Sequence, residues 1–168
     1  MKKICSGIFY ASPFLFIGMF AILATWTRSR FWTACMVASA VEFFVIGNLL
    51  KMFTLKTRTA SLRPIYRNED PDLPVTWARN GMPSAHTSNA VFCILVVSYY
   101  MLSCKESSSA ALALVVSMAI VSGIAWQRVH TRMHSKKQVA IGSMVGIVEA
   151  ILFLIVFKLC ESQNVCRV

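Results

Sequence analysis

An all-α integral membrane bundle of about five transmembrane helices is the fold class this sequence predicts. Three observations predict it: composition, segment length and the lack of strand patterning. Over 168 residues the chain is 57% hydrophobic and only 14% charged. Soluble domains carry about a quarter charged residues, so this chain holds more apolar surface than a small soluble core could hide. Crossing a hydrocarbon layer takes about 20 apolar residues at ~1.5 Å each. Five stretches approach that length: Ile4–Trp26, Trp32–Phe53, Ser88–Leu102, Ala110–Trp126 and Val139–Leu159. Period-two alternation and hairpin turns are missing, which argues against a β-barrel.

The first stretch follows Lys2-Lys3 and is interrupted by Pro13. Its apolar run is longer than a signal-peptide core and has no small-x-small cleavage site, so residues 1–30 read as an uncleaved N-terminal helix of the signal-anchor kind. The third stretch reaches spanning length only if its helix starts at Ser84. Residues 31–160 form the main membrane domain, and 161–168 are a short polar tail. Between the second and third stretches lies the long connection Thr54–Met82, with Pro64, Pro71, Pro74, an acidic patch Glu69-Asp70-Asp72, and the aromatics Tyr66 and Trp77 assigned to the interfacial belt.

The net charge of +10 would suggest nucleic acid in a soluble protein. Here the basic residues sit between apolar stretches, so the expected partners are the bilayer and phosphate head groups, not nucleic acid. Cys35 and Cys93 lie within apolar stretches as small hydrophobes do, and no cysteine or histidine spacing suggests zinc. Glu42, Asn48, Lys51 and Glu149 also lie inside apolar stretches, where ionisable groups are costly unless paired. A contact of Glu42 or Glu149 with Lys51 is expected as glue between helices, while Asn48, two turns before the first motif below, is placed to face it.

Three short motifs carry the chemistry. Lys56 precedes Arg63-Pro64 by six intervening residues; Pro83-Ser84-Ala85-His86 follows; and Arg128 lies five intervening residues before His134. Each borders an apolar stretch, and antiparallel succession brings all three to one membrane surface. Arg63 and Arg128 can grip phosphate oxygens bidentately, with Lys56 as a point charge. Pro83 suits the opening of a helix, whose free N–H groups at Ser84, Ala85 and His86 would face an anion. His134, ahead of the fifth helix, is the expected nucleophile in its neutral form. His86 is the expected acid toward the leaving oxygen and base for the hydrolytic water. Gln138, four residues past His134, is expected to accept from the ring N–H and fix its tautomer. No metal or other cofactor is called for, because no carboxylate cluster would hold an ion. His130 and Arg132 read as loop residues, and Lys136 and Lys137 as contacts to anionic lipid.

These motifs resemble those of the type 2 phosphatidic acid phosphatase (PAP2) superfamily, Lys-x6-Arg-Pro, Pro-Ser-Gly-His and Ser-Arg-x5-His-x3-Asp. The first is matched at Lys56, Arg63 and Pro64. The second is matched at Pro83, Ser84 and His86, with Ala85 for Gly. The third is matched at Arg128 and His134, with Gln127 for Ser and Gln138 for Asp. The resemblance covers about Asn48–Gly142, implies a four-helix core, and gives His134 and His86 the roles argued above. Gln138, together with Gly81-Met82, is similar to the dolichyldiphosphatase branch. That implies cleavage of dolichyl diphosphate to dolichyl phosphate at the lumenal face of the endoplasmic reticulum, in recycling of the lipid carrier for glycosylation.

Two other readings compete. One is a broader lipid phosphate phosphatase acting on phosphatidate or sphingoid phosphates. The other is a degenerate lipid-binding member, suggested by the changes at Gln127 and Gln138. A channel or transporter is disfavoured because the charged groups gather at one surface. Even with Lys56, Arg63 and Arg128 set aside, the motif face keeps a surplus of basic residues, which would by itself put that face in the cytosol, whereas the resemblance implies the lumen. Association into a homo-oligomer suits so thin a bundle.

Overall fold

The computed structural model describes residues 11–54, 62–66, 79–104 and 107–160. Among these residues five α-helices follow in order: α1 Ser12–Thr27, α2 Arg30–Thr54, α3 Ala85–Cys104, α4 Ser107–His130 and α5 Lys136–Cys160. Four of them, α2 to α5, are long and apolar enough to cross a membrane. Among the described residues the only extended pairing is one antiparallel bridge, Leu62 with Asn80. The all-helical expectation therefore holds. Lys56, Trp77, the acidic patch, the Lys2-Lys3 flank and the polar tail lie outside the described residues.

Helix ends differ from expectation for local reasons. Pro13 falls in the first turn of α1, where a missing N–H leaves no bond unmade. It opens the described helix and does not interrupt it. Arg28 then takes the left-handed conformation, φ 52°, which ends α1 and turns the chain into α2. Further on, α4 runs through Arg128 to His130, so Arg128 projects from a helix and not from the loop after it.

The bundle is layered along its axis. At the end away from the motifs, Phe31 and Trp32 of α2 meet Tyr100 of α3, with ring centroids 5.7 and 4.6 Å apart. Phe157 of α5 reaches Phe31 at 5.1 Å, and Phe20 of α1 stacks on Trp32 at 5.9 Å. Such pairs fix relative helix rotation where area burial alone would not. The middle layer is polar. Asn89 Nδ2 donates to Glu42 Oε2 at 2.6 Å and to Ser39 Oγ at 3.0 Å, and Ser88 Oγ donates to Glu149 Oε2 at 3.2 Å. The expected Glu–Lys51 glue is thus replaced by amide and hydroxyl donors. Lys51 lies about 13 Å farther along α2 than Glu42, out of reach of that layer.

Close helix approach completes the frame at the motif end. A Cβ on Gly142 would sit 2.6 Å from the Ser84 carbonyl oxygen, and one on Gly146 would overlap the Ser88 carbonyl oxygen. Two glycines four apart let α5 lie directly against the start of α3, as small residues do between membrane helices.

Candidate active site

The site forms where α2 ends and α3 and α5 begin. Asn80, fully buried, ties these parts together. Its Nδ2 donates to the Lys51 carbonyl at 2.8 Å and to Thr54 Oγ1 at 3.1 Å, while its Oδ1 accepts from the Met82 N–H at 2.9 Å. The Arg63 N–H donates to the Arg79 carbonyl at 2.9 Å, and the Ile65 N–H to the Arg132 carbonyl at 3.0 Å. Arg63 Nε also donates to the Asn80 carbonyl at 3.3 Å. Arg63 is therefore held by its backbone and its own side chain. The neighbouring Tyr66 ring carries the Arg79 guanidinium at 5.6 Å, both residues being half-buried.

His134 is positioned by the turn that follows α4. Arg132 adopts φ 56°, and the His134 N–H donates to the Arg128 carbonyl at 3.0 Å, bringing the ring back over the end of α4. The buried ring lies between two partners. Nδ1 is 2.8 Å from the Gly81 carbonyl, and Nε2 is 3.4 Å from Arg128 Nη2. A carbonyl can only accept and a guanidinium only donate, so the proton belongs on Nδ1 and the lone pair on Nε2. Burial pushes the imidazole pKa well below its ordinary 6.5, and the charges of Arg128 and Arg63 push the same way; the Gly81 carbonyl opposes them only in part. The ring is neutral at neutral pH, with its Nε2 lone pair turned to the Arg128 guanidinium.

A cavity of about 100 Å³ adjoins the ring and is lined by both His134 and Arg128. This is several times the ~30 Å³ a water occupies in the liquid, and suits a tetrahedral oxyanion. Arg63, Arg128 and His134 line one side, with Ala85 and His86 of α3 beside them. The wall from α2 supplies Asn48 and Lys51, and Phe43 and Phe44 close the apolar end. A π-helical turn over Glu42–Ile46 precedes these positions and sets their rotation; such turns recur at functional sites. Phe43 also meets the His86 ring edge-on, centroids 5.3 Å apart, which orients that imidazole. A polyanion drawn in by the cations would meet the His134 lone pair with a second imidazole nearby.

Of the residues expected from sequence, Arg63, Ala85, His86, Arg128 and His134 come together on this cavity, and Asn48 joins them. Ser84 and Gln138 do not line it. The Ser84 N–H donates to the Gln138 carbonyl at 3.3 Å across the α3–α5 junction, and its hydroxyl pairs with Thr87 Oγ1 at 2.9 Å in the first turn of α3. Because α3 begins at Ala85, Pro83 stands before the helix and not at its first position. Gln138 is a second correction. Its Oε1 accepts from the Ser135 N–H at 3.0 Å and its Nε2 donates to the Leu62 carbonyl at 3.1 Å, leaving the tautomer of His134 to the Gly81 carbonyl. Gln127 is buried beside Arg128 in the chain but away from the cavity lining. His130 stacks on Trp126 at 4.7 Å on the exposed side of α4, as the last residue of the helix and not in the loop expected for it.

Sequence reasoning missed Asn80 and the Gly81 carbonyl, and assigned Lys51 to a contact with Glu42 or Glu149 where the structure places it on the cavity. Gly81 admits no side chain: an added Cβ would lie 2.6 Å from Gln138 Oε1 and 2.9 Å from Arg63 Cγ. The Gly142-x3-Gly146 spacing was a readable signal for the α3–α5 approach. A backbone acceptor at Gly81 leaves none.

With this geometry in place, the comparison with known families has a direct reading. Residues 34–161 match the PAP2 superfamily, which is most of the chain, and the chain belongs to that superfamily. Its members are phosphatases, and the class of substrate that fits a membrane-embedded member is a lipid phosphate. No curated protein and no solved structure matches the chain.

Proposed function

We propose that this protein removes the terminal phosphate of a polyprenyl diphosphate, with dolichyl diphosphate as its substrate, releasing the monophosphate lipid and inorganic phosphate. The observation that carries the reading is His134, whose Nδ1–H is held by the Gly81 carbonyl while Nε2 faces the cavity beside Arg128. In the proposed cycle the Nε2 lone pair forms a bond to the terminal phosphorus as the bridging P–O bond breaks. The electron pair stays on the bridging oxygen, which receives a proton from His86. Water then attacks the phosphohistidine, His86 takes its proton, and the P–N bond breaks to free phosphate and the imidazole. Arg63 and Arg128 stabilise the charge on the transferring group, and Lys56, outside the described residues, is assigned the same task. Ala85 supplies a backbone N–H at the start of α3.

The choice of a dolichyl carrier rests on Gln138 and Gly81-Met82, which resemble the dolichyldiphosphatase branch. With that substrate the site would face the lumen of the endoplasmic reticulum and return the carrier to glycosylation. A binding role without turnover is the second reading. It is favoured by Gln138, whose side chain serves the loop and not the His134 ring.

Phosphate release from dolichyl diphosphate by detergent-purified protein in EDTA tests the proposal. The wild type should release phosphate and His134→Ala should lose about 10³-fold or more. Comparable cleavage of phosphatidate would sink the diphosphatase assignment. A folded wild type with no turnover on any lipid phosphate would replace it with the binding role.

A further inference from the structure

We infer that Lys51 holds the lipid-attached phosphate of a diphosphate substrate and so selects diphosphate over monophosphate lipids. The inference rests on the phosphatase reading above and assigns a residue that lies outside all three motifs. Lys51 lies one turn from the end of α2 and lines the cavity with Arg63 and Arg128. The three positive charges act on one another across it. Among the described residues no carboxylate or other acceptor meets the Lys51 ammonium; its backbone carbonyl is what Asn80 holds.

Three cations around about 100 Å³ repel each other at a cost that grows as water is excluded. A bound anion of matching charge removes that cost. A phosphate monoester brings about two negative charges, while a diphosphate ester brings about three. With His134 neutral, Lys51, Arg63 and Arg128 among the described residues, joined by Lys56, carry more positive charge than a monoester balances, which favours the more anionic diphosphate. Placement divides the labour. Arg128 touches Nε2 of His134 and therefore belongs to the phosphorus under attack. Lys51 comes from the α2 wall with Asn48 one turn away on the same face, a separate point of attachment.

The two points are mechanically linked. Asn80 holds the Lys51 carbonyl, and the next residue, Gly81, holds the ring of His134. As the bridging P–O bond breaks, negative charge grows on the lipid-attached phosphate, and Lys51 neutralises it there. A monophosphate lipid has no second phosphate to make this contact.

The test separates binding from turnover. Inorganic pyrophosphate and orthophosphate are titrated calorimetrically into detergent-purified full-length wild type, Lys51→Gln and Lys51→Arg, with thermal melting as the folding control. Lys51→Met is read in the same way if the glutamine variant does not fold. The wild type should prefer pyrophosphate by at least about tenfold. Lys51→Gln should weaken pyrophosphate about ten- to a hundredfold and orthophosphate less than about threefold, while Lys51→Arg keeps most of the preference. No preference in the wild type, or equal loss for both anions, overturns the inference. A Lys51-dependent preference without turnover of any lipid leaves the inference standing and defeats the proposed activity. Diphosphate turnover whose ratio to monophosphate turnover is unchanged in Lys51→Gln does the reverse.

Discussion

The nucleophile expected at His134 owes its poise to a peptide carbonyl. A ring whose Nδ1–H is fixed by Gly81 and whose charged form is disfavoured by burial and two guanidiniums stays neutral below the ordinary imidazole range. The acid limb of kcat/KM should therefore fall below pH 6.5, which a pH–rate profile on the purified protein will show. The same depression has a stability consequence of definite sign. Its contribution is complete above pH 6.5 and is lost as pH falls from there through the lowered folded value, so His134→Phe should flatten acid destabilisation over that window. Gly81→Ala must displace Gln138 and Arg63 and shift the carbonyl that holds the ring. A loss of about 10²-fold in kcat is expected, from misplacement by a fraction of an ångström. His134 and His86 were legible because reactive side chains stood at set spacings beside apolar stretches. Gln138 was misjudged because the four-residue spacing implies contact only within a helix, and α5 begins at Lys136, after His134.

At the scale of helices, the decisive contact is α5 on α3. Gly146→Leu would drive a side chain into the Ser88 backbone and separate the helices, costing about 1–3 kcal/mol or more. The check is the melting temperature in detergent, alongside activity, since α3 carries His86 and the start of α5 adjoins His134. Asn80→Ala removes the amide that joins the end of α2 to the Met82 N–H. Buried groups left without partners cost about 1–3 kcal/mol, and the variant should lose both stability and turnover. Helices α2 to α5 were readable to within a few residues from apolar length alone, while the expected start of the first stretch at Ile4 lies outside the described residues. Their ends were not, because caps and turns depend on contacts between distant segments: Arg63 with Arg79, and Ile65 with Arg132.

Taken whole, the molecule gathers its polar function at one end of an apolar bundle and secures the other end with stacked rings. The first was visible in how the motifs alternate with the apolar stretches; the ring layer was not, because apolar runs do not say which aromatics face one another. The polar middle layer was seen only in part: Glu42 and Glu149 stood out as misplaced charges, but their partners Asn89 and Ser88 look ordinary beside a helix start. Basic residues of the motif face divide between uses. Lys51, Arg63 and Arg128 line the cavity, and Arg79 lies over Tyr66. Lys51 and Arg79 thus show that some of the remaining charge on that face serves internal contacts as well as the membrane surface. The bridge between Leu62 and Asn80, with Arg63 bonded to Arg79, brings the two flanks of the intervening chain side by side. Two strands already joined at the base can carry a longer insert between them at little added entropic cost. A glycan acceptor or small reporter spliced between Tyr66 and Arg79 should leave the enzyme working and, by being modified or not, reveal which compartment that end of the bundle meets.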